Sequence, residues 1–268
     1  MAQTFQIDGA TRIYPIIGDP IAQVKSPAGM TAGFAARGRN AVVVPIQTAV
    51  AHVDDFLRTA AHTGNIDGII ATIPHKVTAL AHCATLSDRA RIGGSVNVMR
   101  RNPDGSWHGD SLDGLGMLGG IRAHGGDPAG RRCLLVGAGG AGVAIAQALL
   151  DAGATELAVH DVDTTRRDRL ITAMQGLHGD RVRIGSDDPA GFGLVVNATP
   201  MGMRPTDPLP VRVDRLDAGA FVGCVITAPA VSPWVAAARA RGCPGSVGAD
   251  MYRAIQDLML GFFLEAER

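Results

Sequence analysis

Short runs of branched and aliphatic residues alternate with alanine-rich stretches along the first part of the chain. The runs IYPII, AVVVPI and GIIATI are typical of buried strands, and the segments between them predict helices near 27–37 and 51–63. Residues 84–113 are rich in turn-forming residues, and Asn102-Pro103-Asp104-Gly105 predicts a hairpin turn between SVNVMR and SWHGDS. The pattern therefore indicates an α/β layer that ends near the helical segment GLGMLGGIRAHG.

The hydrophobic pattern changes at RRCLLVGAGGAGVAIAQALLDAGATELAVHDVD. This segment contains a continuous apolar strand, a glycine turn, a long helix and a second apolar strand. Further strands are predicted at RVRIG, GLVVNAT, FVGCVIT and CPGSVG, with a helix at SPWVAAARARG. Strands that alternate with helices predict a parallel, doubly wound sheet. The closing segment GADMYRAIQDLMLGFFLEAER predicts an amphipathic helix that returns to the N-terminal domain.

A chain of 268 residues is long enough for two domains, at a prior of about one domain per 150 residues. We expect the first over residues 1–115, with the C-terminal helix 248–268 packing back onto it, and the second over residues 116–247. Hydrophobic residues form 46% of the chain and aromatic residues only 4%, a composition that favours closely packed helices on sheets. The fold class is therefore α/β.

Charge and cysteine usage exclude several classes of function. Lys plus Arg equals Asp plus Glu, at 25 each, so no net field draws the chain to nucleic acid or to an anionic membrane. We expect a small-molecule partner. A cytoplasmic location is expected because the sequence has neither a signal peptide nor an apolar run of about 20 residues. The four cysteines lack C-x-x-C spacing and no H-E-x-x-H or G-x-S-x-G occurs, so we predict buried thiols and no metal site.

A glycine-rich turn lies between the strand CLLV and the helix that follows it. The first glycine of G-x-G-x-x-G permits a tight turn, the second lets the backbone approach a pyrophosphate, and the third allows close helix packing. The N–H groups at the helix start then face an anion. We therefore predict a Rossmann-type NAD(P)-binding domain. Its cofactor turn consists of Gly137, Ala138, Gly139, Gly140, Ala141 and Gly142.

Asp161 follows the second strand of this unit. A carboxylate there can accept hydrogen bonds from the adenosine ribose and repels a 2′-phosphate, so Asp161 favours NAD over NADP. The alternative is that Asp161 only caps the following loop. Nearby Arg166 and Arg167 leave phosphate binding open.

Two further segments carry candidate chemistry. ATIPHK ends a buried strand with a proline turn and Lys76, and SLDG places Asp113 before a glycine 37 residues later. A lysine close to a carboxylate can exchange a proton with an alcohol. Taken alone, Lys76 is equally a solvated lysine at a helix start, and Asp113 is equally a turn or cap residue.

These segments, taken together, resemble the shikimate dehydrogenase family, including its quinate/shikimate relatives. IIGDPIAQVKSP, ATIPHK, IGGSVNV and NATPMGM resemble four family motifs and occur in the family's order around GAGGAG. The resemblance implies an N-terminal substrate domain and an oxidoreductase. Such an enzyme transfers a hydride between NAD(P) and the ring hydroxyl or ketone of a shikimate- or quinate-like cyclic hydroxy acid.

By this resemblance Lys76 and Asp113 are the catalytic pair that flanks the substrate hydroxyl. Substrate contacts are implied for Ser26, Thr72, Asn97 and Gln256, and cofactor contacts for Asn197, Thr199 and Met203. The run Asp161-Val162-Asp163 stands where many NADP-using members carry Asn-Arg-Thr, and it resembles the NAD-preferring relatives.

The chain departs from the family pattern at its substrate positions. Val24-Lys25-Ser26 replaces S-x-S, Thr227 replaces a tyrosine, and Gln256 falls one place late, a rotation of about 100° on a helix. Lys25 is a candidate replacement partner for a substrate carboxylate, or a surface lysine. Two alternatives therefore stay open: the same chemistry on a different cyclitol-type substrate, or a non-catalytic NAD-binding regulatory protein. The oligomeric state is also open, with a homodimer as one alternative.

Overall fold

The computed structural model describes residues 7–204 and 206–265. Residues 1–6 of the predicted first domain and residues 266–268 of the predicted terminal helix lie outside the described residues. The chain divides into two compact units. The first comprises the chain up to Leu112 together with the part from Gln256 onward, and the second comprises Asp113–Ile255.

The first unit is an α/β layer around one mixed sheet. Its strands are β1 (Arg12–Gly18), β2 (Ala41–Gln47), β3 (Gly68–Ala71), β4 (Thr85–Leu86), β5 (Val98–Arg101) and β6 (Trp107–Asp110). Its helices are α1 (Ser26–Ala36), α2 (Val53–Ala61), α3 (Lys76–Ala81) and α4 (Asp88–Gly93). The strand order is β2-β1-β3-β5-β6-β4, in which β1, β2 and β3 run parallel and β5 is antiparallel to both β3 and β6.

Apolar side chains on both faces of this sheet form the core of the first unit. Ile17, Ile69 and Met99 are fully buried against Leu57 of α2. On the other face Tyr14 stacks on Phe34 of α1, with ring centroids 4.5 Å apart. Burial on both faces explains why the central strands are continuous apolar runs rather than alternating ones.

The second unit is a doubly wound parallel sheet. Its strands are β7 (Arg132–Val136), β8 (Glu156–His160), β9 (Val182–Ile184), β10 (Leu194–Asn197), β11 (Phe221–Cys224) and β12 (Gly245–Ser246). Its helices are α5 (Asp113–Ala123), α6 (Gly140–Asp151), α7 (Thr164–His178) and α8 (Pro233–Ala240), and α9 (Gly248–Glu265) begins here and ends in the first unit. The strand order β12-β11-β10-β7-β8-β9, parallel throughout, is that of a Rossmann fold. The predicted α/β class and Rossmann-type sheet are confirmed.

The unit boundaries follow helix packing. A Cβ atom on Gly114 would lie 2.1 Å from the carbonyl oxygen of Ala144, so α5 packs backbone to backbone on α6 from its first turn. A Cβ atom on Gly120 would lie 2.9 Å from the backbone nitrogen of Met251 in α9. These contacts group α5 and the first half of α9 with the parallel sheet.

Several helices were not predicted from the sequence. Residues 84–113 contain α4 and the short β4 as well as the predicted hairpin of β5 and β6. The helix α3 starts at the lysine of ATIPHK, and α7 follows Asp163, whose side chain caps it by accepting the N–H of Arg166. Among the residues that the structure describes, none of the helices combines the length and the apolar character that a membrane span requires.

Candidate functional site

The strands of the first unit bring several predicted site residues to one edge of the sheet. Because β1, β2 and β3 are parallel, their carboxyl ends share that edge, and β5 begins there because it is antiparallel to β3. The N–H of Ala71 donates to the carbonyl oxygen of Asn97 at 2.9 Å, and the N–H of Asn97 donates to that of Asp110 at 2.9 Å. Thr72 follows Ala71 directly. The sheet topology therefore places Thr72, Asn97 and Asp110 side by side.

Lys76 is the first residue of α3, at the same edge. The turn before it is anchored to the sheet because the N–H of Thr72 donates to the carbonyl oxygen of Ile17 at 2.9 Å. The carbonyl oxygen of Lys76 accepts the N–H of Val96 at 3.0 Å, one residue before Asn97. Lys76 is half-buried. The turn before Lys76 is thus fixed to β1, and Lys76 itself is fixed to the segment that carries Asn97.

Asn97 is 2% exposed and its carboxamide is oriented by the chain that leads to Asp113. The oxygen Oδ1 accepts the N–H of Leu112 at 2.9 Å. Since the oxygen accepts this bond, the nitrogen is the donor group of the Asn97 carboxamide. The same bond fixes the chain one residue before Asp113, which is 7% exposed and begins α5.

Asp110 belongs to the same edge and was not predicted from the sequence. Asp110 is 4% exposed. Its carboxylate accepts hydrogen bonds from the N–H of Ser111 at 2.7 Å, from the Ser87 hydroxyl and from the Arg89 guanidinium. Ser87 also caps α4 by accepting the N–H of Ala90. Asp110 therefore joins the start of α4 to the strand that leads to Asp113. Only its position three residues before Asp113 could have indicated it.

Ser26 and Gln256 lie on helices of the first unit. Ser26 is the first residue of α1 and is half-buried, with the exposed Lys25 before it. The side-chain nitrogen of Gln256 donates to the carbonyl oxygen of Gly29 at 3.0 Å, which ties α9 to the first turn of α1. Gln256 is half-buried, whereas the preceding Ile255 is 6% exposed. The shift by one residue that the sequence shows thus turns the glutamine towards α1.

The glycine turn of the second unit has the shape that a dinucleotide requires. Gly137 has a φ of +105°, a left-handed conformation that favours glycine. A Cβ atom on Gly142 would lie 2.0 Å from the carbonyl oxygen of Gly137, so the third glycine is required for packing. A Cβ atom on Gly139 would meet no atom within 4 Å, so the backbone beside the start of α6 is open to a ligand. The residues present fit a bound pyrophosphate.

The carboxylate of Asp161 is occupied by its own chain. Oδ2 accepts the N–H of Ala138 at 2.7 Å, and Oδ1 accepts the N–H of Asp163 at 2.8 Å and contacts Arg166 at 3.4 Å. Burial raises the pKa of Asp161, but the two N–H bonds and Arg166 outweigh it, so the pKa lies below its usual range. Asp161 is therefore an ionised brace of the glycine turn.

The loop NATPMGM is held by its own side chains. Asn197 is fully buried, its oxygen accepts the N–H of Thr199 at 3.0 Å, and its nitrogen donates to the carbonyl oxygen of Met201 at 3.2 Å. The Thr199 hydroxyl donates to the Asn197 oxygen and accepts the N–H of Met201. Met203 is 49% exposed. Asn197 and Thr199 shape this loop, and Met203 is its accessible side chain.

Metal and cysteine chemistry find no support in the described part of the chain. Residues 7–204 and 206–265 contain no group of three or more His, Cys, Asp or Glu side chains that could bind a metal ion. All four cysteines are free thiols; Cys83 is half-buried and the other three are buried. Burial raises the pKa of Cys83 and of Cys133 to about 12, so both are protonated and unreactive.

Comparison with known proteins identifies the family. The model of the shikimate dehydrogenase substrate binding domain matches residues 16–99. A curated relative from Rubrobacter xylanophilus, named shikimate dehydrogenase (NADP(+)), is 37% identical over 88% of this chain and 85% of its own length. This chain belongs to the shikimate dehydrogenase family. The resemblance in the sequence is confirmed, and the protein is an NAD(P)-dependent oxidoreductase that acts on a CH–OH group.

Two solved structures are similar over nearly the whole chain. A quinate dehydrogenase from Corynebacterium glutamicum in complex with NAD is 28% identical, with a TM-score of 0.85, over 95% of this chain and 94% of that one. A ligand-free 5-ketofructose reductase of Gluconobacter sp. strain CHM43 is 25% identical, also with a TM-score of 0.85, over 95% of this chain and 93% of that one.

The predicted preference for NAD over NADP is wrong. Four curated relatives, 35–40% identical, are named NADP(+) enzymes, although the quinate dehydrogenase structure holds NAD. The prediction treated the Asp161 carboxylate as a partner for the ribose and a repellent for phosphate. In the structure that carboxylate is engaged by Ala138 and Asp163, and a guanidinium lies beside it.

Proposed function

We propose that this enzyme oxidises the ring hydroxyl of shikimate, or of a closely similar cyclic hydroxy acid, with NADP+ as the hydride acceptor. The observation that carries the proposal is the convergence of Thr72, Lys76 and Asn97 at one sheet edge of the first unit. These residues bring a hydroxyl, a carboxamide and an amino group to that edge. Such a set suits a substrate with several hydroxyls.

We propose Lys76 and Asp113 as the catalytic pair. When bound, the nicotinamide supplies the hydride acceptor. The neutral amine of Lys76 takes the hydroxyl proton as the C–H hydride leaves, so that the C–O single bond becomes a carbonyl. The lysine ends the step as an ammonium, whose charge the Asp113 carboxylate would balance. The half-buried position of Lys76 and the 7% exposure of Asp113 support this role, because charged groups withdrawn from water interact more strongly.

We propose that the remaining predicted residues bind the substrate and the cofactor. Ser26 and Thr72 offer hydroxyls, Asn97 offers its amide nitrogen, and Gln256 lines the start of α1. The exposed apolar side chains of Ile73 and Val77, on either side of Lys76, suit the faces of a carbon ring. In the second unit the turn from Gly137 to Ala141 and the loop shaped by Asn197 and Thr199 would hold the cofactor, with Met203 beside the nicotinamide.

We propose that the first unit binds the substrate and the second binds the nucleotide, close to the predicted domains 1–115 and 116–247. Arg166 supports NADP as the nucleotide. Its side chain is 55% exposed and contacts Asp161 at the carboxyl end of β8, where the adenosine ribose of a Rossmann cofactor binds. A guanidinium is a preferred partner for a phosphate.

The cysteines bear on the cellular location of the enzyme. Four free cysteines fit a reducing compartment, so we propose that the enzyme works in the cytoplasm. A homodimer stays a prediction, which sedimentation velocity tests.

The proposed function is tested by the formation of reduced nicotinamide, followed by absorbance. Shikimate and quinate are each assayed with NADP+ and with NAD+ in separate reactions. We expect turnover with shikimate and a higher kcat/KM with NADP+ than with NAD+. Absence of turnover with both acids would contradict the proposal.

A second candidate substrate class is a ketose or another polyol without a carboxylate. Val24 stands where the family carries a serine, so one hydroxyl for a substrate carboxylate is lost, and the similarity to a 5-ketofructose reductase favours this class. The loss of one hydrogen bond to the substrate carboxylate lowers the binding free energy of the substrate by about 1.5–3 kcal/mol. Reduction of 5-ketofructose with NADPH, compared with oxidation of shikimate, distinguishes the two classes.

A further inference from the structure

We propose that His75 is a positioning residue that fixes Lys76 through a hydrogen bond to the end of β2. This inference rests on the proposed role of Lys76. The ring of His75 is 1% exposed, and its Nε2 lies 2.7 Å from the carbonyl oxygen of Thr48. Because a carbonyl oxygen only accepts, Nε2 carries a hydrogen and donates it.

This bond is the third of three hydrogen bonds that connect the ends of β1 and β2 with the turn after β3. The N–H of Thr48 donates to the carbonyl oxygen of Gly18 at 3.1 Å, which joins β2 to β1. The N–H of Asp19 donates to the carbonyl oxygen of Ile73 at 3.1 Å, which joins β1 to the turn after β3. These two ties run between backbone groups, whereas the third, from that turn back to β2, runs through the imidazole of His75.

The position of His75 explains how this bond acts on Lys76. His75 precedes Lys76 directly, and its carbonyl oxygen accepts the N–H of Ala79 at 2.8 Å in the first turn of α3. A shift of the imidazole would therefore move the backbone of His75 and, with it, Lys76 as the first residue of α3. Misplacement of a reacting group by about 1 Å costs on the order of a hundredfold in rate. A buried imidazole that is anchored at its far nitrogen prevents such a shift.

Two substitutions of similar size distinguish the effect of the hydrogen-bond donor of His75 from the effect of its side-chain volume. In His75→Gln the side-chain amide nitrogen can take the place of Nε2, and in His75→Met no donor remains. Helix α3 offers a matched control at its other end, where His82 bonds Asp54 near the surface, so His82→Met changes the same residue type outside the site. The assay is steady-state oxidation of shikimate with NADP+.

We expect His75→Gln to keep kcat within about threefold, and His75→Met to lower kcat by about 10- to 100-fold. The KM for NADP+ should stay within about twofold in each variant, since the cofactor site is built from other residues. His82→Met should match the unchanged enzyme. Equal kcat values for His75→Gln and His75→Met would overturn the proposal, as would an equal loss in His82→Met. If His75→Met does not fold, His75→Asn, whose amide is too short to reach Thr48, replaces it.

A mutant cycle tests whether His75 acts through Lys76. In a Lys76→Ala background, His75→Met should lower the remaining kcat by less than about twofold, because residues that act as a unit are not additive. A loss as large as in the unchanged enzyme would show that His75 acts independently.

A second measurement needs no activity, so it separates failure of this inference from failure of the proposed function. Lys25 and Lys76 are the only lysines in the sequence, so labelling with 15N-lysine gives two backbone amide signals. A change of the residue before Lys76 shifts its amide signal by itself, so the line width is compared. We expect the Lys76 signal to broaden in His75→Met and to stay sharp in His75→Gln, with the Lys25 signal in place in both. A Lys76 signal that is as sharp in His75→Met as in His75→Gln would overturn the inference even in an active enzyme.

Discussion

The backbone N–H of Ala138, in the glycine turn, donates a hydrogen bond of 2.7 Å to the carboxylate of Asp161. The two residues are 23 positions apart, and the bond joins the first strand-to-helix turn of the nucleotide-binding sheet to the end of the next strand. The carboxylate thus holds the turn in shape. It also orients Arg166, which leaves the guanidinium as the charged group that a phosphate would meet.

Arg166 should determine the choice between the two nicotinamide nucleotides. A charge-assisted hydrogen bond contributes about 1.5–3 kcal/mol, so Arg166→Ala should raise the KM for NADP+ by about 10-fold or more. The KM for NAD+ should not change, because NAD+ has no 2′-phosphate. Steady-state kinetics with both nucleotides measures this. Arg169→Ala, one turn further along α7, is the matched control, and an equal rise in both KM values for Arg166→Ala would contradict the assignment.

The ionised state of Asp161 should make part of the stability depend on pH. Because its pKa in the folded protein lies below the usual value of 3.8, its contribution is complete above that value and is lost as the pH falls below it. The Asp161→Asn variant has no carboxylate at this position, so its stability lacks this pH-dependent contribution. Urea unfolding between pH 7 and pH 3 should therefore show the largest difference between the two proteins at neutral pH and a smaller one at the acidic end. Two parallel stability curves would contradict this.

The sequence predicted the parts of the fold that depend on local pattern. The apolar runs of β7 and β8 and the glycines between them predicted the nucleotide-binding unit, because burial on both faces and a left-handed turn at Gly137 each leave a local signal. The six-residue helices α3 and α4 were missed, since one and a half turns hold too few residues to show a helical period.

The contacts that shape the site could not be predicted in the same way. Ala138 and Asp161 are 23 residues apart, and His75 and Thr48 are 27 residues apart, so both pairs form only when separate strands meet. An aspartate at position 161 favours a contact with the ribose. In the structure its carboxylate instead accepts the backbone N–H groups of Ala138 and Asp163. The motifs predict which residues carry the site chemistry, and those roles stay predictions, whereas the hydrogen-bond partners of each group could not be predicted from the motifs.

The contact between α5 and α6 should be sensitive to one added methyl group. Gly114→Ala would place a Cβ atom 2.1 Å from the carbonyl oxygen of Ala144, and overpacking of this kind costs about 1–3 kcal/mol in the free energy of unfolding. Gly176→Ala in α7, where a Cβ atom meets nothing within 4 Å, should instead stabilise the protein by about 0.5–1 kcal/mol. Urea unfolding of both variants measures the contrast, and a stabilised Gly114→Ala would contradict the packing described.

Lys76 should accept the proton of the substrate hydroxyl during oxidation. The kcat of Lys76→Ala for shikimate oxidation with NADP+, measured beside that of the unchanged protein, tests this role. General acid–base catalysis contributes about 10²- to 10⁴-fold, so kcat should fall by that factor in Lys76→Ala while the KM for NADP+ stays within about twofold. A Lys76→Ala enzyme that turns over shikimate as fast as the unchanged protein would show that Lys76 does not transfer this proton.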